Sequence, residues 1–195
     1  MTELWHLGMS SWFVADGNYE HFAAGDEPEF ALEFYVPGDV ERVEPAALGA
    51  TWRQGPFHDV VARVVFRSRK LWVLDFGLLA YQEMKPPKAL KVGDHVRAEM
   101  YLGVDPFPYF EYLHKLRGMP PMIYSWRIES ILLDRTPFIE TWMPGKGAGL
   151  KRDKTRVSYR QVYRTDARFD GGSSEFVLEC RRLSTEAKQS RREPG

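Results

Sequence analysis

Three carboxylates stand where strand-like alternation makes them conspicuous. Asp75 interrupts the apolar run LWVLDFGLL, Glu99 shares a polar strand face with Arg97 and Tyr101, and Glu129 follows Arg127 on the polar face of PMIYSWRIESILL. A carboxylate removed from water either finds a cationic partner or takes on a raised pKa suited to general acid–base work. For Asp75 the register of its hairpin separates the two cases. Residue numbers that sum to 138 across the pair set it opposite Arg63, and a sum of 137 sets it opposite Ala62. The ion pair is the expected arrangement, because buried charges are normally partnered. Arg97, Glu99, Tyr101, Arg127 and Glu129 form a charged pocket if their faces turn inward. If they face out, as in most small barrels, they form a solvated ladder of weak ion pairs. Asp75, Glu99 and Glu129 are therefore the candidate catalytic carboxylates, and no catalytic role is assigned to any residue.

A second constellation is LGVDPFPYFEYLHKLRG, residues 102–118, in which Asp105, Glu111 and His114 sit among aromatics. Asp105 before Pro106 reads as a helix start, with the carboxylate capping free N–H groups, and Gly118 as the stop. On a helix over 106–117, Glu111 precedes Lys115 by one turn, and His114 and Arg117 suit the negative end of the helix dipole. Every polar residue thus has a structural use, and the segment reads as a lid on a barrel rather than the mouth of a site. Its aromatics cover two sides of the helix. Phe107, Tyr109 and Tyr112, with Tyr101 and Arg97 from the preceding strand, are accordingly the candidate binding residues.

The third is basic. Residues 146–168 carry eight Lys or Arg against two acids, and Arg156, Arg160 and Arg164 recur on one strand face, a spacing that could track phosphates. A hairpin turning at Gly171-Gly172 would set Arg164 opposite Glu179 and Arg168 opposite Glu175. It would also put Tyr159 and Tyr163 on the core side with Leu178 and Cys180. The strip is then partly neutralised, and the overall pI of about 7.0 is far from that of a basic nucleic-acid-binding domain.

Other chemistries lack their residues. The five histidines are scattered without H-x-H or H-E-x-x-H spacing, and Cys180 is the only cysteine, so neither a metal site nor an internal disulfide is expected. Cys180 lies in an inward row with Phe176 and Leu178, where a thiol packs and does not react. No G-x-S-x-G occurs, and PGKGAGLK lacks phosphate-loop spacing. No cofactor is expected.

The elements that hold these residues are mostly strands. Alternation marks strands near 58–67, 71–81, 95–103, 121–133 and 137–142, with the 106–117 helix between the third and fourth. That β-β-β-α-β-β order is that of an OB-like five-stranded antiparallel barrel, here extended by N-terminal strands such as EFALEFYV and by a C-terminal hairpin. A single larger antiparallel barrel or sandwich is the alternative. Two stretches, AAGDEPEFALEFY and KVGDHVRAEMY, open with the same Gly-Asp turn. Residues 143–154, rich in Gly and Lys, read as a loop or linker. Residues 1–183 form one β-rich domain, and 184–195 a disordered tail without apolar anchors.

With 195 residues, 44% hydrophobic and 14% aromatic, the chain is long and apolar enough for a substantial core. No apolar run spans a membrane, and the first residues lack a basic leader, so a soluble cytoplasmic protein is expected. The eighteen Arg against one Asn suggest a GC-rich bacterial genome. Acidic and basic halves, −9 over residues 1–47 and +6 over 146–195, attract each other within the fold or mark a partner surface. The expected function is a non-enzymatic binding or interaction protein, an accessory or immunity-type factor whose partner is another protein. The alternatives are a nucleic-acid-binding barrel and a small-molecule enzyme or ligand-binding barrel with a carboxylate-lined pocket. An enzyme requires a concave pocket joining at least two of Asp75, Glu99, Glu129 and a histidine.

Overall fold

A computed structural model describes residues 4–143, 147–153, 155–168, 174–183 and 186–188. The strands, in chain order, are β1 (Leu4–Ser10), β2 (Glu29–Phe30), β3 (Leu32–Tyr35), β4 (Glu41–Val43), β5 (Gly49–Gln54), β6 (Phe57–Arg67) and β7 (Trp72–Asp75). There follow β8 (Leu79–Gln82), β9 (His95–Val104), β10 (Tyr124–Asp134), β11 (Phe138–Met143), β12 (Gly147–Arg152), β13 (Tyr159–Val162) and β14 (Glu175–Arg182). Helix is confined to α1 (Trp12–Ala15), α2 (Pro108–Glu111) and a 3-10 turn at Leu113–Lys115.

β6, β7, β8, β3 and β9 pair in a ring, and β9 closes it back onto β6. The chain is therefore mostly β and contains a closed five-stranded barrel with extra strands outside it. The barrel is mixed rather than antiparallel, since β3 runs parallel to β8. Its strands also differ from those expected: β10 and β11 lie outside, and the ring is completed by β3 from the N-terminal side. The expected strand 71–81 is two strands, folded at Gly77, whose φ of 93° needs a residue without a Cβ. Asp75 Oδ1 accepts the Gly77 N–H at 3.0 Å.

Alternation decides what fills the ring. Leu32, Phe34, Val60, Ala62, Trp72, Leu74, Val96, Ala98, Met100 and Leu102 point inward and are buried. Trp72 Nε1 donates to Gln82 Oε1 at 3.0 Å within this packed interior. β1 joins the barrel at a single parallel step, Gly8 beside Gly103, and carries β14, β10 and β13 outward in that order. β10 thus separates β13 from β14. The expected C-terminal hairpin does not pair, and its Gly171-Gly172 turn lies outside the described residues. The expected linker 143–154 is largely β12, antiparallel to β11. Of the expected tail 184–195, Lys188 bridges to Ile123, and most of the rest lies outside the described residues.

The 102–118 segment forms a lid, but on the barrel wall. Its helix is shorter than expected because Phe107 takes φ 105° and Tyr112 leaves helical geometry. Tyr109, Leu113, Met119, Met122 and Ile123 pack on the outward-facing Val73 and Tyr81 as a second apolar cluster. The Tyr109 hydroxyl donates to Pro120 O at 3.0 Å and accepts the Met122 N–H at 3.1 Å, fixing the chain's return. The two Gly-Asp turns follow one pattern: Asp26 accepts the N–H of Ala23 at 2.7 Å, and Asp94 that of Lys91 at 2.8 Å. Among the described residues no helix is long and apolar enough to cross a membrane.

Candidate functional site

On the outward face of β9, Arg97 and Glu99 are exposed, Tyr101 is recessed and Gly103 is buried. The gradient arises because β1 crosses the end of β9. The close approach depends on Gly8 and Gly103. A Cβ on Gly8 would overlap the Tyr101 ring, and one on Gly103 would lie 2.7 Å from it. The ring therefore lies across two glycines, with its other side against Phe57 (centroids 5.8 Å apart, edge to face).

Tyr101 borders a cavity of about 1030 Å³ between the β5–β6 hairpin, β9, the β11–β12 hairpin and the near ends of β13 and β14. Trp52, Phe57 and Tyr159 supply further aromatic wall. Trp52 is held by its Nε1–H donating to Gly55 O at 2.9 Å and by stacking on His6 at 4.4 Å.

Charges on and beside the cavity wall come in two similar groups. Asp59 and Glu99 face each other in the β6–β9 register. One arginine serves both: Arg53 Nε donates to Asp59 at 2.6 Å, and its charge reaches Glu99. Across the cavity Arg152 pairs with Asp134 at 3.2 Å, donates to Thr136 O at 2.8 Å and lies 4.6 Å over the Phe138 ring. Its charge also reaches Glu175, whose carboxyl is raised above the usual range, chiefly by burial, although Ser10 Oγ donates to it at 2.8 Å. Asp153 is held low by hydrogen bonds from Thr155, with Lys151 and Arg156 also nearby. Burial and nearby Asp134 push the Tyr159 phenol up to about 12.

The carboxylates singled out from sequence are not brought together. Asp75 sits opposite Arg63 and pairs with it at 3.1 Å, the ordinary cross-strand arrangement. Glu129 occupies a bulge in β10 and pairs with Arg181 at 2.9 Å. Of the three only Glu99 lines the cavity, together with Tyr101 from the binding set. Arg97 is exposed opposite Glu41 of β4. Tyr109 is 0% exposed, which removes it as a binding residue: both its ring and its hydroxyl are used to seat the lid. Phe107 is half-buried, edge-on to Tyr19. Tyr112 is 42% exposed and donates to Glu83 at 2.7 Å.

Arg156, Arg160 and Arg164 are exposed, but only Arg160 lies in a strand, and Arg164 pairs with Asp166 at 3.7 Å. The neutralisation expected from β14 is absent for Arg164. Glu179 instead faces β1 and β10, where it contacts His6 at 3.3 Å and accepts from Ser130. Tyr163 is 70% exposed rather than on the core side. Among the described residues no cluster of three His, Cys, Asp or Glu could hold a metal ion.

Glu33, in the strand EFALEFYV, is not among the residues singled out from sequence. It lies in register with Tyr81 on one side and Gly103 on the other. That face is covered, and burial with the Asp105 charge pushes Glu33 up to about 8. Asp105 is itself 0% exposed. It accepts the Tyr81 hydroxyl and, as a cap would, the Tyr109 N–H at 3.3 Å. Its backbone oxygen accepts the Tyr19 hydroxyl at 2.9 Å. The only sequence hint was that Glu33 and Asp105 each lie next to apolar strand residues. Compared with protein-family models, curated proteins and solved structures, the chain matches none of them.

Proposed function

We propose that this chain is a non-enzymatic binding protein and that it holds its ligand in the cavity beside the barrel. The observation that carries the reading is the cavity's size, about 1030 Å³, with an aromatic wall. Small-molecule sites are concave, about 300–1,000 Å³, and largely apolar with a small number of placed polar groups. The enzymatic reading needed two of Asp75, Glu99, Glu129 and a histidine around one pocket. Only Glu99 lines this one, and none of its lining residues is a histidine. A cytoplasmic, bacterial accessory or immunity-type role remains part of the proposal, supported by the single buried cysteine and the Arg-rich composition. The ring is read as OB-like, with three consecutive strands forming a meander and its fifth strand drawn from the N-terminal side.

Ligand-observed NMR against a library of small aromatic amines, alcohols and acids tests the cavity. Binders are expected, and Trp52→Ala, at a side chain already half exposed, should weaken them at least fivefold. A library without binders overturns the reading.

A second reading is favoured by the exposed Tyr163 beside Arg160 and Arg164: nucleic-acid binding along β13. It requires salt-dependent retention on a polyanion column that falls when Arg156, Arg160 and Arg164 are replaced by Ala. Elution that is the same for wild type and the triple variant removes it.

A further inference from the structure

Resting on the cavity reading, we infer that the ligand presents an organic cation, an ammonium or guanidinium on an apolar body, to Glu175 and Tyr101, with Glu99 completing the negative wall. Asp59 and Glu99 share Arg53, and Asp134 and Glu175 share Arg152. Among the described residues that line the cavity, Glu99, Asp134, Asp153 and Glu175 stand against Arg53, Lys151 and Arg152, so the wall is one positive charge short.

Tyr101 supplies an independent observation. The residue is recessed and lines the cavity, and its hydroxyl makes no hydrogen bond among the described residues. Burial and the charges of Glu175 and Glu33 hold this phenol in its protonated form. Its free hydroxyl lone pairs and ring face are what an N–H cation takes, and Trp52, Phe57 and Tyr159 provide surface for the apolar body. Glu175 is well made for such a partner: one hydrogen bond from Ser10 orients it, and among the described residues no ion pair is made with it.

The cation could come from a free amine or from a Lys or Arg side chain of a peptide, and calorimetric titrations separate the two. The probes are 2-phenylethylamine, 2-phenylethanol, 3-phenylpropionate and the blocked dipeptide acetyl-Phe-Lys-amide. The amine is expected to bind at least tenfold more tightly than the alcohol, with the carboxylate weaker than both. A dipeptide that binds more tightly than the free amine assigns the cation to a peptide, and the reverse order assigns it to a small amine. Amine affinity should rise with pH as Glu175, its carboxyl raised above the usual range, ionises. The groups facing it are Ser10 on β1, Tyr101 on β9, Asp134 on β10 and Arg152 on β12.

Glu175→Gln keeps the Ser10 contact, and it should erase both the tenfold preference and the pH rise. Tyr101→Phe keeps the ring over Gly8 and Gly103 and should weaken the amine more than the alcohol. Melting curves establish that both variants fold. Alcohol or carboxylate binding as tight as the amine overturns the cation inference and leaves the cavity reading standing. Failure of every probe and of the library overturns both.

Discussion

Replacing Glu33 by Gln should make the protein more stable, and only above mildly acidic pH. Glu33 sits on the covered side of β3 with Asp105 as its charged neighbour, and its carboxyl is pushed from the ordinary 4.5 to about 8. The folded chain then keeps a proton that the unfolded chain has released throughout that interval. Stability contributed by the protonated group is full below pH 4.5 and is lost as pH rises toward 8. At about 1.4 kcal/mol per pKa unit, the loss across the interval reaches at most about 5 kcal/mol. Glutamine has nearly the same shape and does not ionise. The variant-minus-wild-type difference should therefore be small at pH 5 and grow to several kcal/mol by about pH 8.5. Urea unfolding followed by tryptophan fluorescence at intervals from pH 5 to 9 measures it. Parallel stability profiles for the two proteins would refute the reasoning, because they would mean that Glu33 titrates as it does in the unfolded chain.

His58 should produce the opposite limb. It is 2% exposed, and its Nδ1 donates to Pro56 O at 3.3 Å. Burial lowers its pKa to about 4 from 6.5, so stability is present above 6.5 and falls toward pH 4. The loss is at most about 3 kcal/mol, and His58→Asn should flatten that limb in acid unfolding curves. Gly8→Ala should cost about 1–3 kcal/mol in urea unfolding, because the new methyl group overlaps the Tyr101 ring. The same change should weaken ligands of the cavity; retained affinity would mean that Tyr101 is not part of the site. A double-mutant cycle on Arg63 and Asp75 should give under about 1 kcal/mol, as for a partly solvated cross-strand pair. A coupling of several kcal/mol would contradict the structural reading of Asp75.

The alternation of single segments was enough to determine much of this protein. It paired Asp75 with Arg63 through the rule that buried charges are partnered, and it called for a five-stranded barrel. It also identified both Gly-Asp turns, because a turn's hydrogen bonds lie within four residues. Tertiary structure decided the rest. β3 rather than β10 closes the ring, β10 separates β13 from β14, and the lid covers a wall of the barrel. The period of a strand says which side chains share a face and is silent about what later covers that face. For that reason Tyr109 read as available. The cavity assembles Trp52, Glu99, Tyr159 and Glu175 from four strands far apart in sequence. Only long-range pairing, through the Gly8–Gly103 step, brings them to one place.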